Sequence, residues 1–205
     1  MSRDTSEDSR DIAWVSVATP FSRRELRPFL VDIERLYRIN PMLVFESWEQ
    51  ASPDNFHLKA QNLSNGKELE TGLKIESSPD STTVHYSDGL RQSTCFRIED
   101  GEDGLAKLVI TDDYSAIDEK EREARIDEVD NSLTTWGNAL FRYFHQWKQW
   151  SWLPGWKYYM QKIWQPMKPS ARRITFMILV ITLTEIVLFF MVFTVFWLEL
   201  DKYLD

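Results

Sequence analysis

Apolar positions along this chain keep three rhythms, and each predicts a different kind of element. IAWVSVATP, from Ile12 to Pro20, alternates Ile12, Trp14 or Val15, and Val17 with small residues, as an opening strand does. SRRELRPFLVDIERLYRINP then sets Leu26, Phe29, Leu30, Ile33, Leu36 and Tyr37 at helical spacing, with Ser22 placed to cap the first turn and Asn40-Pro41 ending the pattern. Pro28 lies too deep for a first turn, so this stretch predicts two short helices or one kinked one. From Met42 to Ala116 the period is 2. LVFESWEQ, FHLKAQNL, ELETGLKIE, TTVHYSD, LRQSTCFRIE and LAKLVITDDYSA are separated by turn sequences such as Ser52-Pro53-Asp54-Asn55 and Ser64-Asn65-Gly66-Lys67, which predicts an antiparallel meander. Helical spacing returns from Asp127 to Trp150, where Val129, Leu133, Trp136, Leu140, Phe144 and Trp147 form one stripe.

The third rhythm is the absence of one. Ile174 to Leu198 is apolar throughout except for Glu185 and the hydroxyls of Thr175, Thr182, Thr184 and Thr194. As a helix, this run of 25 residues spans roughly 37 Å, enough to cross a hydrocarbon core of about 30 Å with some tilt. Lys168, Arg172 and Arg173 precede it, whereas Glu199, Asp201 and Asp205 follow it against the single base Lys202. Basic residues stay on the cytoplasmic side, so the expectation is a single-pass, tail-anchored protein of a bacterial inner membrane with its N-terminal domain in the cytoplasm. The polar opening MSRDTSEDSRD has no apolar stretch of the kind a signal peptide carries.

Charge divides the chain in the same direction. Residues 1–130 hold 28 of the 32 acids and 16 of the 24 Lys and Arg, a net −12, while Asn131 to Thr184 holds no acid and seven bases. An acidic distal domain is no phosphate-backbone binder, which excludes nucleic acid. The acid-free stretch also holds Trp136, Trp147, Trp150, Trp152, Trp156 and Trp164. Indole rings favour the head-group region and Lys and Arg favour anionic lipid, so Trp150, Trp152, Trp156, Lys157, Lys162, Trp164, Lys168, Arg172 and Arg173 are the expected membrane-interface residues. Pro154, Gly155, Pro166 and Pro169 break this segment into pieces, of which Gly155 to Gln165 has the length of an interfacial helix; its aromatics have the domain's own core or another subunit as alternative partners.

Chemistry-bearing motifs are few. His57, His85 and His145 stand apart, without spacing for two metal ligands on one helix face, and the lone Cys95 excludes an intramolecular disulfide. The chain has no GxSxG, P-loop or GxGxxG, and Asp112-Asp113 and Asp118-Glu119 read as solvated acids; the expectation is no metal, no cofactor and no catalytic set.

One strand, a helix pair, six more strands and a long closing helix make an order that resembles the helix-grip fold of the START-like superfamily, with its polyketide cyclase/dehydrase and coenzyme Q-binding members. The residues that carry the resemblance are IAWVSVATPFSRRELRPFLVDIERLYRINP at the start and DEVDNSLTTWGNALFRYFHQW at the closing helix. It implies an α+β fold over residues 11–150, a sheet of about seven strands curled on the long helix, and an apolar cavity for a lipid, quinone or similar molecule. An acidic N-terminus (1–10), a Trp-rich juxtamembrane segment (151–173), the span (174–198) and a short tail (199–205) complete the expected organisation. Inside such a cavity, His85, Tyr86, Arg91, Thr94, Tyr114 and Asn138 are the polar candidates to orient a ligand, their facing set by strand register. Gly137, which costs about 1 kcal/mol in a helix, makes room for a ligand, for a close strand, or for a bulky residue such as Trp48.

Glu185 remains. A carboxylate at mid-bilayer costs roughly 2.5–3.5 kcal/mol on insertion scales and faces protein, water or a basic partner rather than lipid. Thr182 and Thr184 are near enough to hydrogen-bond it; a partner helix, from a membrane subunit or a second copy, is the other reading. Two functions therefore stand: a membrane-anchored domain that binds or presents a hydrophobic ligand, and an accessory subunit of a membrane enzyme docked through its helix.

Overall fold

The computed structural model describes residues 12–115 and 132–201, and the chain divides into two compact units, Met1–Pro166 and Met167–Asp205. The expected N-terminal tail, the Asp118-Glu119 pair and the end of the C-terminal tail lie outside the described residues.

The first unit runs β1 (Ile12–Ala18), α1 (Arg23–Val31), α2 (Ile33–Ile39), then β2 (Leu43–Ser52), β3 (Asn55–Asn62), β4 (Lys67–Ser78), β5 (Ser81–Tyr86), β6 (Ser93–Asp100) and β7 (Ala106–Asp113), and closes on α3 (Leu133–Gln149). The sheet order is β1-β7-β6-β5-β4-β3-β2, antiparallel at every pairing. Register shifts in β2 between Phe45 and Ser47 and between Gln50 and Ser52 are bulges that add bend and twist at this edge. The inner face carries Val17, Leu58, Leu73, Val84, Phe96, Leu108 and Ile110, which share one core with Trp136, Leu140, Phe144 and Trp147 of α3. This is the α+β helix-grip architecture that the sequence order predicts.

Local details refine that order. The helix pair is two helices: Asp32 ends α1 and caps α2, its carboxylate accepting the Arg35 N–H at 3.1 Å. Pro28 sits within α1, so it removes one helix hydrogen bond without ending the helix. β6 starts at Ser93 rather than Leu90, because Tyr86 N–H donates to Gln92 O at 3.0 Å and leaves residues 87–92 as a connection. Among the described residues the closing helix runs from Leu133, with Ser132 as its N-cap and the Ser132 hydroxyl taken by Asn40 Nδ2 at 2.9 Å; the expected start at Asp127 lies outside the described residues.

After α3 the Trp-rich segment continues in the first unit. Helix α4 (Trp156–Tyr158) runs directly into a π-helical stretch, Tyr159–Trp164. Met160 is fully in the core, and Trp156, Tyr159 and Trp164 pack against it, so the domain extends beyond the expected boundary at residue 150.

The second unit is one helix, α5 (Pro169–Asp201), with its apolar side chains exposed all round. Among the described residues it is the one helix long and apolar enough to cross a membrane. Thr184 and Thr194 each donate to the carbonyl four residues back, Val180 at 2.9 Å and Phe190 at 2.7 Å, which satisfies hydroxyls that have no water to turn to in an apolar setting.

Candidate functional site

The end of β5, the connection 87–92 and the facing ends of β6 and β7 bring polar side chains into the interior. Along β5 the inner face is Thr82, Val84 and Tyr86, and across the next pairings Thr94 faces Asp112. Thr94 Oγ1 donates to Asp112 Oδ1 at 2.5 Å, and Arg91 Nη1 reaches Asp112 Oδ2 at 3.1 Å. Tyr86 OH lies 3.0 Å from Thr94 Oγ1, and Tyr37 of α2 bonds to Tyr86 through its own hydroxyl. A hydroxyl has one proton to give. Since Thr94 gives its proton to Asp112, it accepts from Tyr86, which in turn accepts from Tyr37. Three hydroxyls thus donate in series toward one buried carboxylate, and the Arg91 guanidinium neutralises it from the other side while lying 4.5 Å over the Tyr86 ring.

Burial fixes the protonation of this chain. The Tyr37 phenol is pushed well above its ordinary value of 10, first by burial and next by the neighbouring Tyr86, and burial likewise raises Tyr86. Both remain neutral donors.

Beside the network opens a cleft of about 170 Å³, lined by Tyr86, Leu90, Arg91 and Tyr114 together with Asn62, Lys67, Leu69 and Glu70. Ligand pockets that engulf a drug-sized molecule measure roughly 300–1,000 Å³, so this cleft has room for a head group or a single ring. Between sheet and helix, aromatic rings pack around Tyr37. Tyr37 packs on Trp136, Phe96 and Trp48 with ring centroids 5.1, 5.9 and 6.1 Å away, and Trp136 Nε1 donates to Leu36 O at 2.9 Å.

Four of the seven cavity candidates meet here: Tyr86, Arg91, Thr94 and Tyr114. His85 points to the outer face, where Nε2 stands 3.6 Å from Glu76, because it alternates with inward Val84 and Tyr86. Asn138 is exposed on the solvent side of α3. Gly137 belongs to packing: a Cβ there would stand 2.8 Å from Val15 Cγ2, so the missing side chain lets α3 approach β1, and neither a ligand nor Trp48 fills the space. Two members of the site are absent from the candidates, Tyr37 and Asp112. Asp112, expected to be solvated, is 1% exposed; the alternation Leu108, Ile110, Asp112 puts it on the inner face and Asp113 on the other.

The interface candidates divide. Trp150, Trp152, Lys157 and Lys162 are exposed, whereas Trp156 and Trp164 turn onto the domain, Trp164 with its ring 5.6 Å from Tyr143. In the second unit Lys168 and Arg173 are exposed and Arg172 half-exposed, and Thr182 and Glu185 lie on the open surface of α5.

No protein-family model matches the sequence, and no curated protein matches it. Solved structures do. The di-domain ARO/CYC BexL from the BE-7585A biosynthetic pathway superposes with a TM-score of 0.50 at 16% identity, over 67% of this chain and 47% of that one. The fold is the helix-grip fold. A START superfamily protein from Mycobacterium smegmatis (TM-score 0.47, 15% identity, 66% of this chain and 96% of that one) and DR_A0006 from Deinococcus radiodurans (0.49, 10%, 67% and 98%) are also similar to it. At these identities the likeness to the helix-grip proteins is one of fold, and function rests on the site.

Proposed function

We propose that this chain is a membrane-anchored helix-grip binding protein that holds the head of a hydrophobic or amphipathic molecule, of the lipid or quinone kind, in the cleft above Tyr86 and Arg91. The observation that carries the reading is a small open cleft that lies against a polar network directed to Asp112. Every proton from Tyr37 to Thr94 is directed to Asp112, which suits a rigid recognition surface rather than turnover, and no catalytic residue is assigned. In this reading α5 is the anchor, and its basic N-terminal flank supports a cytoplasmic position for the domain. The test is native mass spectrometry of the full chain extracted in mild detergent, beside a Leu69→Trp variant that fills the half-buried cleft wall. The parent should carry a bound small molecule that the variant loses; identical spectra, with no adduct in either, would overturn the reading.

A second reading is supported by Glu185, an acid exposed on an otherwise apolar surface, beside Thr184 whose hydroxyl is already given to Val180 O. Here α5 docks against a transmembrane helix that offers Glu185 a donor. Intramembrane polar contacts contribute about 1–2 kcal/mol, so Glu185→Leu should weaken co-purification of a partner about tenfold in blue-native electrophoresis while leaving insertion intact. An unchanged high-mass band sinks the docking role.

A further inference from the structure

Cations over most of the domain have acidic partners: Arg23 and Arg27 with Asp80, Lys59 with Glu46, Lys107 with Glu99, Lys148 with Glu25. Lys157 and Lys162 are different. Both are exposed and neither has an acidic partner among the described residues, in a stretch of sequence, Asn131 to Thr184, that holds no acid. Their placement is fixed by the fold. Gly155, at φ 84, takes the left-handed turn that starts the helical segment, and the π-helical stretch commits Met160 and Gln165 to the interior with Trp156, Tyr159 and Trp164 half-buried against it. Outside remain Lys157, Tyr158, Gln161, Lys162 and Ile163, with Trp152 before them at 73% exposure.

We propose that this outer face of residues 152–163 is a docking surface for anionic phospholipid, and that it seats the domain on the head groups rather than leaving it to swing on its anchor. Aromatic rings with a polar edge enter the head-group region, and each lysine close to an anionic surface strengthens attachment about fivefold. The inference rests on the membrane-anchored reading and not on the cleft.

The experiment uses the full chain in vesicles of phosphatidylcholine, with or without phosphatidylglycerol. Cys95 is the single cysteine, so a Cys95→Ser background accepts one spin label at Trp152→Cys or Tyr158→Cys, with Glu102→Cys in the β6–β7 turn as the aqueous reference. In phosphatidylglycerol vesicles the two labels should sit at head-group depth, by their oxygen against nickel-chelate accessibility, and the reference in water. Lys157→Glu with Lys162→Glu should weaken seating at least about twenty-fivefold, two lysines at about fivefold each before the repulsion of the new carboxylates is added. Labels as water-exposed as the reference would overturn the proposal, and so would a depth indifferent to lipid charge and to the lysine reversal. A chain that fails to float with either vesicle overturns the anchor and this surface together; loss of the cleft ligand alone touches neither.

Discussion

Arg91, half-buried in the connection before β6, and Arg35, buried on α2, lie in one small domain, and they are held by opposite means. Arg91 meets a carboxylate: Asp112, its side chain 2% exposed, lies 3.1 Å away and also receives Thr94. Arg35 meets rings. Its guanidinium lies 4.4 Å from the Phe29 ring centroid, 4.2 Å from that of Trp147 and 5.4 Å from that of Tyr143, while Nε and Nη2 donate to Tyr143 OH at 2.9 and 2.7 Å. Trp147 lies in the last turn of α3, where unpaired carbonyls give a partial negative charge. One cation thus meets a full charge and the other several partial ones. Removing one partner is therefore more costly in the first arrangement, because a buried ion is left behind.

The largest expected effect follows from that difference. Asp112→Ala leaves Arg91 and Thr94 facing an apolar side chain, and breaking a buried pair in this way costs about 3–5 kcal/mol. Thermal melting of the detergent-solubilised chain, followed by near-UV circular dichroism, should drop by roughly 8–15 °C. Arg91→Met with Asp112→Leu, which removes both ions, should recover most of the loss. A single mutant that melts with the parent would show that the pair is solvated and carries little.

Arg35→Met sharpens the comparison from the other side. The thioether fits an aromatic cage, no carboxylate is stranded, and what goes is the cation–π attraction and two bonds to a phenol. About 1–2 kcal/mol should be lost in the same melt. A cost equal to that of Asp112→Ala would mean that the cage is as dependent on its charge as the ion pair, and the distinction between the two arrangements would fall.

How much of this was legible in the sequence depends on the distance over which each contact is made. Alternation along single segments predicts the meander, and the return to helical spacing predicts the gripping helix, because period is a local property. The same alternation carried through β7 separates Asp112 from Asp113, but only once Leu108 and Ile110 are known to face inward, and that is fixed by pairing with β1 and β6. Tyr86 and His85 pose the same one-residue choice. The Arg35 cage was not legible, since Phe29, Tyr143 and Trp147 arrive from α1 and the far end of α3 and leave no spacing signature. Nor was the division of the tryptophans after α3, because a π-helical stretch changes which residues share a face, and composition does not announce it.

The smallest effect is expected where the pair is wet. Lys148 Nζ stands 2.7 Å from Glu25 Oε1, but the two side chains are 45% and 48% exposed, so water and salt screen most of the attraction. Glu25 also accepts the Ser22 N–H and hydroxyl, each at 2.9 Å, across the first turn of α1. The Lys148 hydrogen bond first, and the two from Ser22 after it, lower the Glu25 carboxyl from 4.5 to about 2. A carboxyl depressed on folding adds stability that is complete above the unfolded value near 4.5 and is lost as the pH falls through the range from 4.5 to about 2. Lys148→Ala should therefore cost under about 1 kcal/mol at pH 6, a cost that shrinks in high salt and fades as the pH falls toward 2. In the same variant the Glu25 carboxyl resonance should titrate higher than in the parent yet still below 4.5, since Ser22 continues to donate. A titration unchanged by the substitution would assign the whole shift to Ser22 and remove Lys148 from the account, while the buried Arg91–Asp112 pair, shielded from salt, should show no comparable ionic-strength dependence.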